Sequence, residues 1–304
     1  MRCDMNDKDS AYGKTKDLIK EFLAECNNPL LDIPPLICPE LTNNYEAKLA
    51  LLLMLANTTD VPYSKTRRDR IHILLLGYQG TGKSVLLDYL NEDWAACYIS
   101  CAPTGASLKG DARKDDFGVK IFNEYDGGIV AIDDIELMKE VDTLRDVMER
   151  GRYTITKGGR HREYDAHCRI TAASNDITRI SEPILGRFDI VVPFEEPTID
   201  ESMSIVNRFL TDSTDALNIR AFLRAYVSVI CIHEPKITDT GLIKECFEIH
   251  FTKEGRGKSG RWIGSVWRIA KAFARIQLKD ITSVEIGKAI EIKKSTEKTL
   301  NKSR

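Results

Sequence analysis

Residues 71–90 constrain the fold more than any other stretch of this chain. Ile71–Leu76 is a short apolar run, Gly77-Tyr-Gln-Gly-Thr-Gly-Lys-Ser84 follows it, and Ser84–Leu90 has the apolar spacing of a helix. The octet fits G-x-x-x-x-G-K-[ST], in which glycines let backbone amides turn inward around phosphate oxygens. In that arrangement Lys83 reaches the β and γ oxygens, and the Ser84 hydroxyl ligates Mg²⁺. ATP or GTP is therefore expected on Gly77, Gly80, Thr81, Gly82, Lys83, Ser84 and Val85.

Further apolar runs at Cys97–Ser100, Ile129–Ile132, Cys168–Ala173 and Asp189–Val192 alternate with longer polar segments. Short apolar strands between helices predict an α/β fold, a parallel sheet covered on both faces. Ahead of it, Lys14–Cys26 and Asn44–Ala56 read as helices joined by a proline-rich connector. After Pro197 the strands stop. Ile199–Leu210, Leu217–Ile232, Asp239–Phe251, Arg261–Leu278 and Ser283–Ile292 read as helices, with Thr238 and Thr282 as starts. The expected division is a leader and helix at 1–35, an α/β unit at 36–197, a helical lid at 198–293 and a solvated tail at 294–304.

Composition closes off other classes. The net charge of −2 gives no global electrostatic footprint for nucleic acid, so a DNA contact needs a local basic feature. The eight cysteines are scattered, without paired CxxC spacing, and read as reduced core thiols rather than zinc ligands. The longest apolar run, Leu49–Ala56, is far too short to span a bilayer, and the N-terminus is too polar for a targeting signal. A cytoplasmic or nucleoid-associated protein is expected.

Gly127-Gly-Ile-Val-Ala-Ile-Asp-Asp-Ile-Glu136 is a buried strand that ends in acidic residues. Such an end lies where open sheets bind ligands, so Asp133 would hold Mg²⁺ and Asp134 would orient the attacking water. Taken alone, the pair reads equally well as a turn or a helix cap. Asn175 ends another apolar strand, suited either to sensing the γ-phosphate or to an ordinary Asx turn. Arg187, in Gly-Arg-Phe-Asp, fits an arginine finger or a lone surface arginine. Residues 150–164 (RGRYTITKGGRHREY) read as a β-hairpin turning at Lys157–Arg160. Its Arg150, Arg152, Lys157, Arg160, His161 and Arg162 make it the candidate contact for a phosphate backbone, or else a solvated surface hairpin.

With these parts in order, the chain resembles the AAA+ core of the minichromosome maintenance (MCM) replicative helicases from about Cys38 to Ile292. Ile37-Cys-Pro-Glu40, Lys48-Leu-Ala-Leu51, Asp69–Leu75 and Gly127–Met138 resemble its entry segment, first strand and Walker B strand. Met148–Asn175 follows the presensor hairpin and first sensor without a gap, which puts Lys157 on the lysine that contacts DNA. Pro183–Val192 resembles the arginine-finger segment. Leu223–Tyr226 and Arg261–Arg275 resemble the lid, which puts Arg261 on the second sensor. The resemblance implies a five-stranded AAA+ sheet and a ring, hexameric or hetero-oligomeric, acting on single-stranded or forked DNA. Lys83, Ser84, Asp133 and Asn175 would act from one subunit, and Arg187 and Arg261 from the next. Arg160 and Arg162 would flank Lys157 on the DNA side.

Three departures shape the expected activity. The family's usual glutamate after the Walker B aspartate is Asp134 here, shorter by one carbon–carbon bond of about 1.5 Å, so slow hydrolysis is expected. Residues 105–117 are shorter than the family's helix-2 insert. Counterparts of the N-terminal ring-forming domain and of the winged helix are also missing, so a partner is expected to supply them. Alternatives are an ATP-switched DNA or partner clamp with weak hydrolysis, and a remodelling ATPase of the MoxR or chelatase kind.

Overall fold

The computed structural model describes residues 19, 22–23, 26–41, 43–57, 70–100, 105–110, 120–138, 141, 144–157, 160–200, 202–203, 216–255 and 257–303. Five strands build the central sheet: β1 (Ile73–Gly77), β2 (Cys97–Ile99), β3 (Ile129–Ile132), β6 (Arg169–Ser174) and β7 (Ile190–Phe194). They lie in the order β2-β3-β6-β1-β7, and every pairing is parallel. β4 (Arg152–Lys157) and β5 (Arg160–Asp165) form a separate antiparallel hairpin. Four of the expected strands shift by one or two residues at their ends; Ile129–Ile132 is found as expected.

Because β side chains alternate, each strand feeds two cores. Ile73 and Leu75 of β1 join one cluster with Ile129, Ala131, Ala173, Ile190 and Val192. Leu74 and Leu76 join the other, with Val130, Ile132, Ile170, Ala172 and Val191. The second cluster takes in the hairpin's Tyr153 and Ile155 and helix α3 (Leu144–Arg150). The first takes in α1 (Tyr45–Ala56) and the C-terminal helices α5 (Ala216–Ile232), α6 (Thr240–Glu254), α7 (Gly260–Ile276) and α8 (Ser283–Lys302). Helix α1 is apolar all round and is buried continuously from Ala50 to Ala56. It packs on β1 and β7 by one side and on α5 and α7 by another, so the helical lid shares a core with the sheet.

The C-terminal segment corrects the expectation of a solvated tail after residue 293. α8 continues to Lys302, and Lys293, Thr296 and Thr299 are buried. The stretch Lys293-Lys-Ser-Thr-Glu-Lys-Thr299 has no apolar period, because its contacts are polar. The Lys293 ammonium donates to the Asp189 carbonyl at 2.7 Å, and the Val191 amide donates to Thr296 Oγ1 at 3.1 Å. β7 is an edge strand, and these side chains occupy backbone groups on its open side.

Asp189 is the densest junction between lid and sheet. Its Oδ2 accepts from the His72 amide at 2.9 Å, and its Oδ1 accepts from Arg268 of α7 at 2.6 Å. Thr282 caps α8 in a reciprocal capping box with Glu285, as expected of a helix start. Thr238 does not cap α6: Asp239 takes that place, and the Thr238 hydroxyl donates to the Ile281 carbonyl instead. The expected helices at Lys14–Cys26 and Ile199–Leu210 lie mostly outside the described residues. Cys38 and Cys168 are buried, Cys26, Cys97, Cys231 and Cys246 half-buried, and all six are free thiols. No helix among the described residues is long and apolar enough to cross a membrane.

Candidate functional site

The phosphate-binding turn leaves β1 at Gly77. A Cβ there would stand 2.1 Å from the Phe194 carbonyl oxygen, so only glycine lets β1 and β7 pair at this point. Gly80 and Gly82 have φ of +82° and +95°, the left-handed region that side chains resist. The turn runs into α2 (Lys83–Trp94), whose first amides face where phosphates bind. The Lys83 ammonium reaches back over the turn, donating to the carbonyls of Gly77 at 2.7 Å and Tyr78 at 2.6 Å. Thr81 Oγ1 donates to the same Tyr78 carbonyl at 2.8 Å. Burial lowers the Lys83 pKa, and the carboxylates of Asp133, Glu136 and Asp134 pull against that shift. Val85, two residues on, is exposed.

The end of β3 brings its acids to this turn. Ser84 Oγ donates to Asp133 Oδ2 at 2.8 Å. Those two hard oxygens suit Mg²⁺, which takes few protein ligands and completes its shell with phosphate and water. Tyr98 of β2 was not anticipated: its hydroxyl donates to the same Asp133 oxygen at 2.9 Å. Burial, and then Asp133, push the Tyr98 phenol well above its usual pKa. Only its place on the strand beside β3 hinted at this contact. Asp134 is left-handed (φ 46°, ψ 50°), and its Oδ1 accepts from Asn175 Nδ2 at 2.8 Å. Burial, then Asp133 and Glu136, raise the Asp134 pKa, while Asn175 and Lys83 oppose the rise. The Asn175 amide donates to Glu136 Oε1 at 2.9 Å, a second contact without a forecast. Lys83, Ser84, Asp133, Asp134 and Asn175 thus meet at the C-terminal ends of neighbouring strands.

Arg187 and Arg261 lie elsewhere, together. They line a concave pocket of 740 Å³ with Arg145, Asp146, Glu149 and Arg150 of α3 and Glu182, Pro183 and Gly186 of the segment that includes α4 (Glu182–Leu185). No residue of the phosphate-binding turn lines it. Arg187 Nε and Arg261 Nη2 approach one oxygen of Glu149, each at 3.2 Å but without hydrogen-bond alignment. Arg187 also donates to the Pro183 carbonyl, and its guanidinium is mostly buried. The surface-arginine reading of Arg187 is therefore set aside, and Glu149 joins the residues not foreseen.

α3 passes through Gly151 (φ +68°) into the hairpin. Its strands pair in one register from Arg152↔Asp165 to Lys157↔Arg160. Tyr153 stacks on Tyr164 with ring centroids 5.7 Å apart and donates from its hydroxyl to the Lys109 carbonyl, anchoring the base. The backbones of Lys157 and Arg160 pair at the last rung, while Gly158 and Gly159 lie outside the described residues. Arg162 is exposed, and Arg152 pairs with Glu163 at 2.8 Å.

The profile of the MCM P-loop domain matches residues 16–214. The chain is 26% identical over 294 residues to the minichromosome maintenance protein MCM of Saccharolobus solfataricus, covering 84% of this chain and 43% of that protein. It is 25% identical over 296 residues to the probable DNA helicase MCM9 of Oryza sativa subsp. indica, covering 84% and 44%. To the DNA replication licensing factor MCM3 of Entamoeba histolytica it is 28% identical over 220 residues, covering 61% and 35%. The matches thus take in less than half the length of these relatives. The parallel sheet, the strand-end acids at the phosphate-binding turn and the profile match agree: the chain belongs to the MCM P-loop family.

Proposed function

We propose that this chain is an ATP-driven DNA translocase subunit that hydrolyses ATP at the interfaces of a ring. The supporting observation is the separation of its two charged sets. The phosphate-binding turn has its lysine, serine and acids, while Arg187 and Arg261 line a pocket that no residue of that turn enters. Arginines so placed serve a nucleotide held by an adjacent subunit, so each chain brings two halves of two different sites. Lys83 leaves the Gly77 and Tyr78 carbonyls for the β and γ oxygens, and Ser84 and Asp133 hold Mg²⁺. Held there by Ser84 and Asp133, the metal would neutralise charge on the transferred group. Asp134, held by Asn175, orients the water, and Arg187 from the neighbour stabilises the transition state.

Lys157, Arg160 and Arg162 bind the DNA backbone, and their hairpin follows α3, whose Glu149 touches both arginines. That continuity supports coupling of nucleotide state to the DNA contact. A weaker reading, an ATP-switched clamp, draws support from Asp134, whose short carboxylate is engaged by Asn175. The discriminating measurement is ATP hydrolysis against protein concentration, with and without single-stranded DNA. A translocase gives a rate that rises faster than linearly, climbs with DNA, and loses the DNA response in Lys157→Ala while ATP binding persists. Tight ATP binding with no turnover at high protein concentration supports the clamp instead.

A further inference from the structure

Glu136 sits on the short turn after β3, two residues beyond Asp134. Its Oε1 accepts the Asn175 amide at 2.9 Å, and the Asn175 side chain donates to Asp134 Oδ1 at 2.8 Å. The ends of β3 and β6 are therefore fastened twice through one residue, once by backbone and once by side chain. The second Glu136 oxygen is shut from solvent and hydrogen-bonds to none of the described residues. A buried carboxylate oxygen left without a donor is costly, so such a group is kept for a reason.

The turn itself explains why a clamp is needed. Asp134 is held in the left-handed region, and its carboxylate is shorter than a glutamate by one bond. A short carboxylate has little reach to adjust, so its partner has to be held still. A misplacement of about 1 Å in such a site costs roughly 100-fold in rate. We propose that Glu136 is a positioning residue for hydrolysis: through Oε1 it fixes the Asn175 backbone, so that the Asn175 amide and the Asp134 carboxylate act as one unit. This rests on the reading of Asn175 and Asp134 as the γ-phosphate sensor and water-orienting groups.

The test uses Glu136→Ala and Glu136→Gln, because glutamine keeps an acceptor for the Asn175 amide and alanine does not. Glu136→Ala is expected to lower kcat about 10- to 100-fold with KM within about 3-fold, and Glu136→Gln to stay within about 3-fold of wild type. A second readout needs no turnover: the ratio of affinities for ATPγS and ADP. Glu136→Ala and Asn175→Ala should each bring it towards one, and the double variant no further than Asn175→Ala alone, since Glu136 acts by way of the Asn175 side chain. Additive losses in the double variant overturn the proposal. So does a Glu136→Ala protein that matches wild type, or a Glu136→Gln protein as impaired as the alanine variant. Lys83→Ala guards the underlying reading: should nucleotide binding survive it unchanged, the site assignment fails, not the role of Glu136 alone.

Discussion

The phosphate-binding end of the sheet and the arginine pocket are both charged, but they are built differently. At the first, every charged group has a partner of fixed geometry: Lys83 on two carbonyls, Ser84 and Tyr98 on Asp133, Asn175 on Asp134. At the second, two guanidiniums converge on one Glu149 oxygen without the alignment of a hydrogen bond. One end is held in place by its own hydrogen bonds. The other gathers four arginines with three acids, Asp146, Glu149 and Glu182, around an open pocket.

Breaking the arginine end alone should have the largest effect. Arg187→Ala is expected to cost about 10³-fold in kcat, the lower bound for an arginine finger, while ATP affinity stays within about 3-fold. A parallel fall in ATP affinity would merge the two ends into one site within a single chain. At the other end, Asp134→Glu should raise turnover by about 10- to 100-fold by restoring the missing bond length. If steady-state ATPase assays show no gain, the short carboxylate is not what limits the rate. Tyr98→Phe removes a donor to Asp133 without changing the ligand, and should raise the Mg²⁺ concentration for half-maximal activity about 10-fold. An unchanged Mg²⁺ titration would make that hydroxyl dispensable. The smallest effect is expected from Thr296→Val, which leaves the Val191 amide without its acceptor. A loss of about 1–3 kcal/mol in urea unfolding, with ATP affinity intact, would show that the lid is tethered independently of the phosphate-binding end.

The two ends were not equally legible in the sequence. The phosphate-binding turn is contiguous, and its glycines are dictated by positive φ and by the approach of β7, so a short pattern suffices. Strands β1, β3 and β6 announce themselves as apolar runs because both faces of the sheet are buried. Tyr98, Glu136 and Glu149 act through contacts between residues far apart in the chain. Tyr98 meets Asp133 across 35 positions, and the Asn175 amide meets Glu136 across 39. No local period marks them. The last turns of α8 were misjudged for a related reason, since Lys293 and Thr296 are buried against backbone groups of β7 rather than against apolar side chains.

The junction at Asp189 sets how the arginine pair can travel. Arg261 shares α7 with Arg268, which grips the Asp189 carboxylate, and Arg187 lies two residues before Asp189 on the same run of chain. The Asp189 carbonyl is held in turn by Lys293 of α8. The helix that carries Arg261 and the run of chain that carries Arg187 are therefore fastened at one residue. The two guanidiniums are sited from a common anchor, so an adjoining molecule would meet a two-pronged fork rather than two fingers set independently.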